Sequence, residues 1–153
     1  MTPVRIIGIG SPHGADVAGW RVVQALRRDG LAARFPADTV SLENCASPMQ
    51  LYRLVEGCRL AVLIDAVASD ARQPMGIEPS LLCRERGGCS VHGIGVADML
   101  ELLAALAESP PRVVLFGFPI GAAADQSAPL QAMLPALSGR IEEVIERYLA
   151  SGG

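Results

Sequence analysis

At 153 residues the chain is long enough to form one ordinary domain, residues 1–153, that buries most of a single core. Half of the residues are apolar, 19% are charged and the mean hydropathy is +0.34, which excludes a disordered, solvated polymer. A net charge of −3, with no run of Lys or Arg, leaves no basic stripe for nucleic-acid phosphates and excludes DNA or RNA as an expected partner.

The first element is the near-continuous apolar run "VRIIGIG", which predicts a strand buried on both faces. That run is broken by Gly8 and Gly10 and lacks the regions of a secretory signal. No apolar stretch reaches the roughly 18 residues that a spanning helix needs. The expectation is a cytoplasmic protein with no membrane partner. "GWRVVQALRRDG" predicts a helix with Trp20, Val23 and Leu26 on one side and Gly30 as its stop. "DTVSLEN" follows as a second strand. In "SPMQLYRLVEG", Ser47 is a helix cap, Pro48 suits the first turn and Gln50 completes a capping box.

"RLAVLIDAV" is the strongest core strand, its apolar run stopping at Asp65. From Ser69 to Gly88 turn residues dominate, with one short strand expected around "GIEPSLL". "IGVADMLELLAALAES" predicts a helix and "RVVLFGF" a strand. The last helix is expected from about Pro129 to Leu149, capped by Ser127 and kinked or split at Pro135. None of the four cysteines forms a CxxC pair, so Cys45, Cys58, Cys83 and Cys89 are expected as free thiols.

Strands and helices alternating at these lengths predict a three-layer α/β/α sandwich around a mostly parallel sheet. In such a sheet the loops after the strands gather at one edge, where ligands bind. Asp16 follows the first strand, Glu43 ends the second, Asp65 ends the third and His92 precedes a later helix. All four are candidates for one rim.

The loop "GIGSPHGADVAG" admits two readings. Its GxG, with Glu43 as a ribose ligand, suggests a nucleotide-binding module, but the third glycine is misplaced for GxGxxG. Asp16 beside the helix start would also repel a pyrophosphate. There is no GxSxG, HExxH or GxxxxGK[ST] in the chain. Two carboxylates and an imidazole from three loops instead suit a divalent first-row ion such as nickel or zinc. Purely structural roles remain open for each residue. Asp16 and His92 can cap the helices that follow them, and Asp65 can bind backbone amides past its strand.

"IIGIGSPHGADVAGWRVVQAL", "LAVLIDAV" and "SVHGIGVADMLELL" together resemble the [NiFe]-hydrogenase maturation endopeptidases. In that family a G-x-G-N-x-L loop with an acidic pair, an Asp after an apolar run, and an S-P-H-x-x-G-[LV]-x-[DE]-[LV]-L signature occur in this order. The resemblance covers nearly the whole chain and implies a five-stranded twisted sheet between helices. It also implies an activity: removal of a C-terminal peptide from the hydrogenase large-subunit precursor after nickel insertion.

By position, the family's metal-contacting residues fall on Asp16, Asp65 and His92. The resemblance implies that the nickel is carried by the substrate, with no resident cofactor and with zinc or cadmium able to replace it in crystals. The catalytic roles of these three residues are left open, and Asp65 and Glu43 are both candidates for a general base. His13, with His92 one of the only two histidines, is a candidate for an extra metal or substrate contact.

The chain departs from the pattern at several points. Ser11 stands for the Asn, Ala15 for the first acid, "ENCA" for D-G-G-T, and "PIGAAADQSAP" lacks the glutamate that often follows the fifth strand. These changes flank the rim and keep open an alternative, a non-catalytic metal-binding or chaperone-like relative.

Overall fold

The computed structural model describes residues 2–10, 17–68, 74–77, 93–120 and 127–152. Its strands are β1 (Val4–Ile9), β2 (Val40–Cys45), β3 (Leu60–Ala68), β4 (Met75–Ile77) and β5 (Arg112–Ile120). They form one sheet in the order β2-β1-β3-β5-β4. Four strands are parallel, and the short β4 lies antiparallel at the edge. The helices are α1 (Ala18–Arg28), α2 (Pro48–Glu56), α3 (Gly93–Leu106) and α4 (Ser127–Ala150), with a 3-10 turn at Leu31–Arg34. The predicted five-stranded, mostly parallel α/β sandwich is what the chain forms.

Strand alternation sends successive residues to opposite faces, and two apolar clusters follow from it. Ile6, Ile64, Phe116 and Phe118 pack with Val22, Val23 and Leu26 of α1 and with Leu137 and Ile141 of α4. On the other face Ile7, Ile9, Leu63 and Leu115 pack with Leu51 and Val55 of α2 and with Val96 and Met99 of α3. Burying each such Ile, Leu or Phe side chain is worth about 1.5–3 kcal/mol.

The buried face of α1 is Gly19, Val22, Val23 and Leu26, an i, i+3, i+4, i+7 set. Trp20 is half-buried at the margin of this face, one position away from where the periodicity put it. Gly30 does end the helix, at φ 69°. Ser47 caps α2 by accepting the Gln50 amide at 3.2 Å. Gln50 reaches back to the Ala46 amide at 2.9 Å, one residue before the capping-box partner.

Two predicted boundaries shift. Ser127 is the first helical residue of α4, and Pro135 lies within that helix without splitting it. Near Pro135, Met133 and Leu137 are both buried in the core, so packing holds the helix across the missing amide. β3 runs three residues past Asp65, because Ala66, Val67 and Ala68 continue the pairing to Phe118, Pro119 and Ile120. Arg140 of α4 secures the edge strand: it donates to the Pro74 carbonyl at 2.5 Å and lies 5.1 Å from the Phe116 ring centroid. Among the described residues no helix is long and apolar enough to cross a membrane.

Candidate active site

The strands connect so that β1 leads through α1 to β2 on one side, while α2 carries the chain back over β1 to β3. The two crossovers lie on opposite faces of the sheet. Their divergence makes the carboxyl ends of β1 and β3 the topological switch point of the sheet, the place where such sheets bind ligands.

Asp65 lies at that switch point. It is 1% exposed and is the one buried carboxylate among the described residues. Ala61 and Leu63 belong to the α2/α3 cluster, and alternation along the unbroken register puts Asp65 on the same face. β1 pairs with β3 up to Gly8 opposite Ile64, so the next residue, Ile9, falls beside Asp65; Ile9 in turn pairs with Cys45. Here β1 and β2 end, while β3 and β5 continue for three more residues. Asp65 is therefore not at the tip of its strand but at the foot of a step, where its neighbour stops and the sheet edge drops.

Several elements converge on this step. Gly10 and Trp20 both donate to the Cys45 carbonyl, at 2.9 Å from the amide and 3.1 Å from the indole. These bonds clamp the ends of β1 and β2 and the start of α1 together. Gly19 lies so close to the sheet that an added Cβ would stand 3.2 Å from the Ile64 carbonyl. α3 ends at Leu106, just before β5 begins beside Leu60, so its first residue, Gly93, lies toward the carboxyl edge. α2 starts there too, three residues after Cys45. The amino ends of α2 and α3 therefore lie toward the same edge of the sheet as Asp65.

Glu43 is placed differently. It is half-buried and pairs with Ile7, two residues before the row of Asp65 and two strands away. At ordinary strand spacing their Cα atoms are about 12 Å apart. Ile7 and Ile9, on the same face, stand between them. Neither carboxylate occupies the strand end that the sequence suggested, and the sheet does not bring the two together. His13, Asp16 and His92 lie outside the described residues, as do Cys83 and Cys89. Within the described residues no group of three His, Cys, Asp or Glu side chains is gathered to hold a metal.

Cys45 and Cys58 are buried free thiols, as expected. Burial pushes the Cys45 thiol above its ordinary range, against a backbone hydrogen bond at Ser47. Cys58 is pushed up to about 11 by burial, against the nearby Arg5 charge and a backbone hydrogen bond. Both thiols are thus held protonated and are poor nucleophiles.

The same architecture recurs in solved structures. The maturating endopeptidase HybD from E. coli superposes with a TM-score of 0.71 at 20% identity, over 96% of this chain and 94% of that one. The maturation protease HybD from Thermococcus kodakarensis gives 0.67 at 20% identity, over 94% and 99%. HycI, a maturation protease from the same organism, gives 0.60 at 19%, over 95% and 93%. The chain has the fold of the [NiFe]-hydrogenase maturation proteases. It matches no protein-family model and no curated protein sequence.

Two features near Asp65 are not legible in the sequence. Helical periodicity puts Trp20 on the apolar face, whereas the bond from its indole to the Cys45 carbonyl depends on tertiary placement. Gly117 pairs directly with Asp65 across β3 and β5. A glycine within the apolar run "VVLFGF" was the available signal for it.

Proposed function

We propose that the protein is an endopeptidase that removes the C-terminal extension of a [NiFe]-hydrogenase large-subunit precursor once nickel has been inserted. The observation that carries this reading is Asp65, a buried carboxylate at the topological switch point of a fold shared along nearly its whole length with hydrogenase maturation proteases. Asp16, Asp65 and His92 supply two hard oxygen donors and one imidazole, a set that suits a divalent first-row ion.

In this reading the nickel belongs to the substrate. Asp16, Asp65 and His92 complete its coordination, with His13 as a further contact, and this holds the neighbouring peptide bond for hydrolysis by proximity. Between the two candidate bases, position favours Asp65, since Glu43 lies two strands away behind Ile7 and Ile9. Recognition through the metal makes cleavage depend on maturation state, so that nickel-free precursor is left intact. The reaction takes place in the cytoplasm, where the precursor is assembled.

The test is incubation of the protein with precursor prepared with and without nickel, followed by mass spectrometry of the precursor's C-terminus. Asp16→Ala, Asp65→Ala and His92→Ala are run in parallel. Nickel-dependent loss of the extension, abolished in all three variants, is the expected result. Binding of the loaded precursor without mass loss would identify a non-catalytic relative instead.

A further inference from the structure

A groove of about 340 Å³ lies between the β4 edge and α4, a size within the range of small-molecule sites. Val114 and Phe116 line it from the α1/α4 face of the sheet, opposite the face of Asp65. It is open to solvent: Gly76, Arg140 and Arg147 are exposed, and Val114 and Val144 are half-buried. Arg140, Glu143, Val144 and Arg147 stand at i, i+3, i+4 and i+7, which puts them on one stripe of α4 beside its core residues Leu137, Ile141 and Ile145.

The Arg140 guanidinium is anchored at one end. Its Nη1 donates to the Pro74 carbonyl at 2.5 Å, and its central carbon lies 5.1 Å from the Phe116 ring centroid. These contacts hold the planar group against β4 and β5, so little freedom is left to lose when it meets a ligand. Among the described residues no hydrogen bond engages Nη2, which stands 3.1 Å from where a Gly76 Cβ would lie. A side chain at position 76 would crowd it. Arg147 offers a second guanidinium, paired with Glu143 at 2.5 Å, the two side chains being 76% and 57% exposed. An ion pair this exposed is weak and exchanges partners readily.

Two guanidinium groups against one carboxylate leave the groove with an excess positive charge, in a chain whose net charge is −3. That excess matches a monoanion, whereas a phosphate dianion would set its second charge against Glu143. The guanidinium fork fits the two oxygens of a carboxylate, and Val114 and Val144 form an apolar wall for the group that carries it. The geometry points to a carboxylate-binding groove between α4 and the β4 edge. In it Arg140 and Arg147 hold the carboxylate, and Val114 and Val144 receive a short branched aliphatic group. A peptide's free C-terminus and a small carboxylic acid share this chemistry. The groove is separate from Asp65 and does not depend on the endopeptidase reading.

The experiment is calorimetric titration of the full chain with four probes: acetyl-alanyl-valine, its C-terminal amide, isovalerate and inorganic phosphate. Binding of the free-acid peptide or of isovalerate, with no binding of the amide or of phosphate, is the expected result. The tighter of the two acids identifies the source. Arg147→Ala and Arg140→Lys are each expected to weaken that acid by about tenfold or more, through loss of a charge-assisted or bidentate contact. Glu143→Gln is expected to tighten it by about threefold, because a like charge is removed. Melting temperatures of Arg147→Ala and Glu143→Gln stay at the wild-type value, since both side chains are exposed. Absence of binding by both acids overturns the proposal, as does equal affinity for the peptide and its amide, phosphate binding as tight as the acids, or wild-type affinity in Arg147→Ala.

Discussion

Gly19 packs its backbone against the end of β1 so tightly that a Cβ there would stand 2.2 Å from the Ile9 carbonyl oxygen. Both partners are backbone, one at the end of β1 and one in the first turn of α1, so neither has a rotamer with which to yield. Gly19→Ala is therefore expected to destabilise the fold by about 2 kcal/mol, the overpacking cost outweighing the gain of about 1 kcal/mol in helix propensity. Gly139 provides the contrast: it is exposed on α4 with nothing within 4 Å of its Cβ position. Gly139→Ala is expected to stabilise by about 0.8 kcal/mol. Urea unfolding of the two variants checks the opposite signs.

Asp65→Asn preserves size and shape while removing the charge and replacing one acceptor oxygen by a donor. Losing even an outer-shell partner of a metal ligand commonly costs about 10–100-fold. Cleavage of nickel-loaded precursor by Asp65→Asn is therefore expected to fall by at least ~100-fold. Glu43→Gln, set apart by β1, is expected to stay within about threefold of wild type. Single-turnover rates distinguish the two; equal losses would contradict the role proposed for Asp65.

The Trp20 indole is one of two donors to the Cys45 carbonyl. Trp20→Phe keeps most of the apolar area and removes only this bond. The expected cost is about 1 kcal/mol, because the Gly10 amide still satisfies the acceptor. Chemical denaturation measures it, and a loss of under about 0.3 kcal/mol would mean that the clamp carries no net stability.

Cys58 links stability to alkaline pH. Its folded-state thiol is raised to about 11 from the ordinary 9.0. The unfolded chain therefore releases this proton first, and the thiol's contribution is complete below the unfolded value. It is lost as pH rises toward the folded value. Cys58→Ala is expected to flatten the decline in unfolding free energy between about pH 8 and about pH 10.5 relative to wild type. Cys45, also raised, acts with the same sign but is present in both proteins and cancels from the comparison. Parallel pH-dependent slopes for the two proteins would reject the linkage.

What the sequence determined by itself is local. The continuous apolar runs of β1, β3 and β5, the periodic face of α1, and the Ser47, Pro48 and Gly30 signals specify elements because their physics acts within a few residues. Their alternation was enough for a three-layer α/β architecture with a mostly parallel sheet. The same local reading pointed to Asp65 as a polar residue closing an apolar run. It also ended β3 too early and allowed a kink or a split of α4 at Pro135, where the helix runs unsplit, because the pairing with β5 and the core contacts of Met133 and Leu137 come from distant parts of the chain.

Strand order, register and relative strand length were decided only in three dimensions. They place Asp65 at a step and not at a tip, put Gly117 beside it, and seat Glu43 behind two isoleucines. Nothing within β3 encodes where β1 stops, or which residue of β5 stands opposite Asp65. Those relations are set by which long-range pairing buries both apolar faces at once, a property of the whole folded chain.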